Sequence, residues 1–198
     1  MSLLYIYGAS GHGLVVADIA KACDYEEIIF VDDGDNDYLK FEEIEKNKNF
    51  SFALGIGNNT IRKKIFDKLE QDGFNIVTLI HPSVIISSSS YIGKGTVVMP
   101  NVVVNAKVHI ENGVILNTAS IIEHECVIEN FVHISPNVSL AGAVKVGEFT
   151  HIGIGSNVIQ GIIIGNNTII GAGSTVVKNV GNFKKAYGNP CREIEDIK

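Results

Sequence analysis

The sequence predicts two units of different class, a small α/β domain followed by a solenoid of very short β-strands. Three observations predict this. Ile and Val together number 50 against 9 Leu in a chain of 198 residues, the β-branched bias that favours strands over helices. The bias is uneven: 34 of those 50 lie in 84–180 with only 9 charged side chains, whereas 1–83 hold 7 of the Leu and 22 of the 38 charged residues. From Ile86 to Val176 every sixth residue is aliphatic, sixteen times in succession without an insertion. The expected organisation is an α/β domain over 1–81, a solenoid over 82–180 and a tail over 181–198.

In the first unit, Leu3 to Tyr7 reads as a buried strand, followed by the glycine turn Gly8-Ala9-Ser10-Gly11-His12-Gly13 and a helix from about Leu14 to Ala22. Ile28 to Val31 is a second strand ending in Asp32-Asp33. An acidic stretch at 34–49 is expected to be mobile. Ser51 to Gly57 reads as a third strand, Asn59 to Gln71 as a helix and Ile76 to Ile80 as a fourth strand. Strand, glycine turn and helix in series imply a parallel, Rossmann-like sheet with a ligand edge at the strand C-termini. A glycine turn opening a helix offers backbone N–H groups and a positive dipole end to phosphate. An acidic residue ending the next strand suits a ribose or base. The spacing G-x-x-G-x-G departs from the dinucleotide G-x-G-x-x-G, and four strands are few for a dinucleotide, so a mononucleotide or nucleotide-sugar is expected.

In the second unit, a six-residue period fits neither a 3.6-residue helix nor a simple alternating strand. It fits a coil with flat faces of one hexad each, its aliphatic residue inward and a small or β-branched residue two positions earlier. Gly93, Gly147, Gly153, Gly165 and Gly171 directly follow the aliphatic position and are expected to form tight corners. Sixteen hexads at three faces per coil give about five coils. A bare rod would need a flat Thr-rich face and no second domain; the outward positions here are mixed.

Several classes are excluded. A net charge of −6 lacks the basic face that nucleic acid requires. The 29 uncharged residues between Glu148 and Lys178 would score as a membrane span, but six glycines and regularly spaced polar residues interrupt them. The start MSLLYIYGAS lacks the basic residues, long apolar run and small-residue cleavage site of a signal peptide, and three Cys at 23, 126 and 191 make no disulfide framework, so a reducing cytoplasm is expected. Without C-x-x-C or H-x-x-x-H spacing no metal is expected, and no G-x-S-x-G elbow is present. Cys126 holds a small inward position and reads as structural.

Of six histidines, His124 is the candidate base. It lies two residues past the inward Ile122, near a corner, and Glu125 adjoins it; a carboxylate beside an imidazole raises its basicity and fixes its orientation. His133, half a coil on, is expected to line the same groove.

The strings YIYGASGHG (5–13), FVDD (30–33), GIGNN (55–59), IRKK (61–64), LIHPS (79–83), ILNTASIIEHECVIENFVHIS (115–135) and YGNPCR (187–192) resemble the hexapeptide-repeat sugar O-/N-acetyltransferases, the sialic acid O-acetyltransferase-like group, nearly end to end. Cys191 stands where that family usually ends G-x-P-A-R. The resemblance implies a left-handed parallel β-helix, a homotrimer, and acetyl-CoA as co-substrate without a metal. It implies N-acetylation of the C4 amino group of a UDP-4-amino-4,6-dideoxy sugar, with O-acetylation of a sialic acid or another sugar as the near alternative. A nucleotide-sugar sensor would have no use for the His124-Glu125 pair. The roles implied are His124 as general base tuned by Glu125; Ser10, Gly11, His12, Asp32, Asp33 and Gly57 for the UDP-sugar; and His133, Ala141, Gly142, Ile154 and Ala172 for acetyl-CoA, Ala172 standing where relatives often have Gly.

Overall fold

The computed structural model describes residues 3–45 and 50–197. The N-terminal unit is a parallel sheet of β1 (Leu3–Tyr7), β2 (Glu27–Val31), β3 (Ser51–Leu54) and β4 (Asn75–Ile76) in the order β2-β1-β3-β4. Two helices connect them, α1 (Gly11–Ala22) and α2 (Asn59–Gln71). The sheet reverses direction of growth between β1 and β3, the position at which an open α/β sheet leaves a crevice at its C-terminal edge. Helix α1 begins three residues earlier than the periodicity suggests, taking Gly11 and His12 into its first turn. Of the stretch expected to be mobile, Phe41–Glu43 forms a 3₁₀ turn and Phe41 is buried against Tyr7 and Phe52; residues 46–49 lie outside the described residues.

The remainder is a left-handed parallel β-helix of two-residue strands on three faces. The first face stacks Leu79–Ile80, Val97–Val98, Ile115–Leu116, His133–Ile134, His151–Ile152 and Ile169–Ile170. The second runs from Ile85–Ile86 through Ile121–Ile122 to Thr175–Val176, and the third from Tyr91–Ile92 to Ile163–Ile164. Partners are eighteen residues apart, as in Ile115↔His133↔His151. The coil count is nearer six than five because the register begins one hexad earlier: Leu79–Ile80 pairs with Val97–Val98 and opens the β-helix instead of closing the α/β sheet.

Inside, the sixth-residue aliphatics form one column, with Ile110, Leu116, Ile122, Ile128 and Ile134 fully buried. Each contributes roughly 1.5–3 kcal/mol, while ordering each residue costs about 1–2 kcal/mol, so a lone coil is unstable and stacking is obligatory. The corners are not where the glycine pattern suggests. Every sixth residue from Gly95 to Gly173 has a left-handed φ of 51–70°, including Glu125 and Phe131. The glycines one position past the inward aliphatic serve close approach of successive coils: a Cβ on Gly93 would stand 2.5 Å from the Glu111 backbone, and one on Gly153 2.7 Å from Ala172 N. A hairpin, Lys184–Gly188 with Cys191–Asp196, continues the first face beyond the last coil.

The two units share packing. Leu4, Ile6, Val16 and Ile19 close over Leu79, Val97, Met99 and Ile115 of the first face. Arg62 on α2 is 1% exposed, and its hydrogen bonds among the described residues go to uncharged oxygens. Its Nε donates to Gly113 O (2.7 Å), Nη1 to Gly57 O (3.0 Å) and Ile56 O (3.2 Å), and Nη2 to Phe131 O (2.8 Å) and Asn59 Oδ1 (2.9 Å). One guanidinium thus ties the loop after β3 to two successive coils.

Candidate active site

The glycine turn divides by function. Gly8 has φ +107°, and a Cβ on Gly13 would stand 2.0 Å from Gly8 O; one on Gly55 would meet the same oxygen at 2.5 Å. These three let the turn after β1 pack on the loop after β3. Gly11 has nothing within 4 Å of its would-be Cβ, and Gly57 only His12 Cβ at 4.0 Å. Packing therefore does not explain them, and both border the crevice. Ser10 caps α1 with extended backbone, exposed and without a side-chain cap bond.

Asp32 links this turn to the next loop. Its Oδ2 accepts from Ala9 N (2.9 Å) and its Oδ1 from Gly34 N (2.9 Å) and Asn36 Nδ2 (3.0 Å). The Ala9 N–H, foremost among these, holds its carboxyl below the usual range. Asp33 points the other way: its Oδ1 accepts from Phe41 N (2.9 Å), and its Oδ2 from the Tyr7 hydroxyl and from Lys68 Nζ (3.0 Å). Burial pushes its carboxyl up, but these donors outweigh burial and hold it low. Lys68 lies 4.0 Å over the Phe41 ring and 5.4 Å over Tyr7.

Three imidazoles meet where the α/β unit ends over the first face. The outward column there reads Leu79, Val97, Ile115, His133, His151 and Ile169. Its upper members lie under α1; then the column turns polar. His133 and His151 stack at 4.5 Å with planes 4° apart, and His12 stands 6.3 Å from His133. His133 Nε2 meets Asn117 Nδ2 at 3.3 Å, and His151 Nε2 meets Ser135 Oγ at 2.8 Å. Burial, reinforced by Arg62, pushes the His12 ring down to about 4. Burial, then the neighbouring His151 and Arg62, pushes His133 down to about 3, a hydrogen bond with the Gly57 backbone offsetting part of this. His151 is lowered for the same first cause. All three are neutral at pH 7, and His12 Nε2 is buried without a hydrogen-bond partner among the described residues.

His124 stands elsewhere. It occupies the corner between the second and third faces, across the prism from the first face, so His124 and His133 do not share a groove within one chain; half a coil rotates the chain past a whole face. Its Nδ1 lies 3.2 Å from Glu125 Oε2, with more than half of each side chain exposed. Its ring lies over Gly142, whose Cβ would come within 2.5 Å of both Cε1 and Nε2. Ala141 and Gly142 share this corner one coil on. Ile154 and exposed Ala172 stack at the corner between first and second faces, joined by Gly173 N to Ile154 O at 2.8 Å. Between the two corners the second face carries a depression of about 370 Å³ lined by Ile121, Glu123, Ala141 and Asn157. Cys126 is buried, its Sγ donating to Ala141 O at 3.2 Å, and burial raises its thiol to about 11, so it is structural.

Sequence reasoning missed His151 and Asn117 beside His133, and the anchoring part of Arg62. An eighteen-residue offset, three hexads, would have shown that 133 and 151 stack. Nothing in the sequence marks Arg62 as buried.

A β-helix of six-residue repeats joined to a small parallel α/β unit is the architecture of the hexapeptide-repeat acyltransferase class. Residues 3–69 match the PglD N-terminal domain family. A UDP-N-acetylbacillosamine N-acetyltransferase of Bacillus subtilis (strain 168) is 35% identical over 115 residues, covering 49% of this chain and 51% of that protein, so the match spans about half the length of this curated relative. The acetyltransferase domain of PglB from Neisseria gonorrhoeae FA1090 superimposes with a TM-score of 0.92 at 35% identity, over 98% of this chain and 100% of that one. That domain has also been solved in complex with acetyl coenzyme A, with a TM-score of 0.90 to this chain. PerB from Caulobacter crescentus, crystallised with CoA and GDP-perosamine, gives a TM-score of 0.93 at 32% identity, over 98% of each chain. The chain belongs to the hexapeptide-repeat sugar N-/O-acetyltransferase family.

Proposed function

We propose that the chain transfers the acetyl group of acetyl-CoA to the C4 amino group of a UDP-4-amino-4,6-dideoxy sugar, giving a product of the UDP-N,N′-diacetylbacillosamine type. The observation that carries the reading is the His124-Glu125 pair at an open corner. Glu125 accepts from Nδ1–H, which leaves the Nε2 lone pair free to act as base. The amine attacks the thioester carbonyl while Nε2 takes its proton; the new C–N bond forms, the C–S bond breaks, and the imidazolium returns the proton to the departing CoA sulfur. Ser10, Gly11, His12, Asp32, Asp33 and Gly57 hold the sugar nucleotide. His133, Ala141, Gly142, Ile154 and Ala172 serve acetyl-CoA, and no metal takes part.

These groups are divided between opposite sides of one prism, which supports a homotrimer in which one protomer's His124 corner faces a neighbour's crevice. Exposed Ile85 and Ile121 on the second face suit such contact. The work is placed in the cytoplasm, where acetyl-CoA and sugar nucleotides are made.

The test is thiol release from acetyl-CoA with UDP-4-amino sugars, GDP-perosamine and sialic acids. UDP-4-amino sugars are expected to give the highest kcat/KM, and His124→Ala to lower kcat about 10²–10⁴-fold. Turnover of sialic acids alone overturns the acceptor; a His124→Ala variant within threefold of the native enzyme overturns the base. Full activity in a monodisperse monomer overturns the trimer.

A further inference from the structure

One charged group in the α/β unit gathers an unusual set of acceptors. Lys40 Nζ lies 3.0 Å from Asp32 O, 2.8 Å from Gly34 O, 2.8 Å from Asn36 O and 3.0 Å from Asn36 Oδ1. Four oxygens from one seven-residue loop converge on a single ammonium, and three of them are backbone carbonyls. An ammonium has three donors and no acceptor, so this group serves as a covalently tethered cation inside an oxygen cage. The hydrogen bonds of the Lys40 ammonium go to the loop's main chain and to Asn36, and its charge also helps hold the Asp32 carboxyl low.

The cage is joined to the glycine turn by a short chain of bonds. Lys40 Nζ fixes Asn36 Oδ1; Asn36 Nδ2 donates to Asp32 Oδ1 at 3.0 Å; Asp32 Oδ2 accepts from Ala9 N at 2.9 Å. The loop closes behind it, with Asp32 N donating to Leu39 O at 3.0 Å and Tyr38 N to Asn36 Oδ1 at 3.1 Å. Asp32, Asp33, Asp35 and Asp37 crowd this segment, and without a central cation their mutual repulsion and the unpaired carbonyls would open it. Lys68 does not substitute, since its contacts are to Asp33 and Tyr7 on the other side.

We infer that Lys40 is a positioning residue for sugar-nucleotide binding: its ammonium holds the 32–38 loop closed, and through Asn36 and Asp32 it fixes the Gly8–Gly13 turn at the edge of the crevice. The inference rests on the proposed sugar-nucleotide site, and its first readout is independent of turnover. Charge-assisted hydrogen bonds are the strong ones, so their loss acts on the loop before it acts on the fold.

The test uses Lys40→Ala, which empties the cage, and Lys40→Met, which keeps the apolar stem. Amide exchange at Gly34, Asn36 and Tyr38 is expected to accelerate in both. In the native enzyme's assay, KM for the sugar nucleotide is expected to rise about tenfold or more, the weight of one charge-assisted hydrogen bond, with kcat and KM for acetyl-CoA within about twofold. Millimolar ammonium or methylammonium chloride is expected to restore both exchange and KM in Lys40→Ala, and tetramethylammonium, which has no N–H, to restore neither. Unchanged loop exchange in both variants overturns the inference. So does a loss of kcat without a change in KM, or equal rescue by tetramethylammonium. If exchange opens and ammonium closes it while the native chain acetylates no sugar nucleotide, the cage stands and the proposed function falls.

Discussion

Gly142→Ala isolates the position of the His124 ring from its chemistry. The added Cβ would stand 2.5 Å from Cε1 and Nε2 and 3.2 Å from Nδ1, whereas carbon contacts settle at about 3.5–4.0 Å. The ring must therefore retreat by about 1 Å. It can do so by rotating, because its side chain is more than half exposed, and Gly142 is not among the left-handed corner residues that Ala would strain. Stability is expected to hold or to rise by about 0.4–1 kcal/mol. A 1 Å displacement of a catalytic group costs on the order of 10²-fold, so kcat should fall about 10–10²-fold, less than the loss of the imidazole itself. Thiol-release kinetics on the single variants and on the double variant with His124→Ala decide the cause. An effect transmitted by the ring lowers kcat and disappears in the His124→Ala background. An effect on bound acetyl-CoA raises its KM and persists there. A Gly142→Ala enzyme within threefold of native kcat would refute the reasoning that Nε2 works from the observed position.

Two further outcomes follow from the site's surroundings. An unfolded imidazole takes its proton near 6.5, whereas His12 and His133 resist protonation down to about 4 and about 3. The unfolded state therefore binds more protons below pH 6.5, and stability falls as pH drops toward 4, by up to about 1.4 kcal/mol per pH unit for each histidine. Urea unfolding at pH 7.5, 6 and 5 reads this slope; a flat profile contradicts it, and His151→Asn should flatten it in part. Within the glycine turn, Gly13→Ala is expected to abolish folding because its Cβ lies 2.0 Å from Gly8 O, while Gly11→Ala, with nothing within 4 Å, folds normally and loses UDP affinity by calorimetry.

The β-helix was legible because its period is dictated by geometry. An inward residue every sixth position leaves a mark that no other fold makes, and the interior column follows that mark without exception from Ile86 to Val176. The start of the column was not legible. Leu79–Ile80 fits the end of an α/β sheet equally well by composition, and only pairing to Val97–Val98 decides between them. The corner glycines misled for a related reason: a missing Cβ answers both a left-handed φ and a close neighbour, and at Gly93 and Gly153 the neighbour is the cause. His124 and Glu125, adjacent in sequence, were readable as a pair, whereas the His12, His133 and His151 group is assembled from separate elements and needs the register to be seen.

Arg62 carries a consequence for how the chain finds its register. A β-helix with an aliphatic residue at every sixth position is nearly degenerate: sliding one part past another by a whole coil keeps every inward side chain apolar. Hydrophobic burial alone distinguishes such threadings poorly, and minimally frustrated folding requires something that does. The guanidinium donates to one set of carbonyls, those of Ile56, Gly57, Gly113 and Phe131, and so works as an index mark between the α/β unit and particular coils. Asn59, at the start of α2, carries the mark one coil further, its Nδ2 donating to Phe149 O at 2.8 Å and Thr150 O at 3.3 Å. Whole coils of eighteen residues added or removed past the coil that holds Thr150 and His151 would leave the crevice, the three imidazoles and the indexed coils in their arrangement.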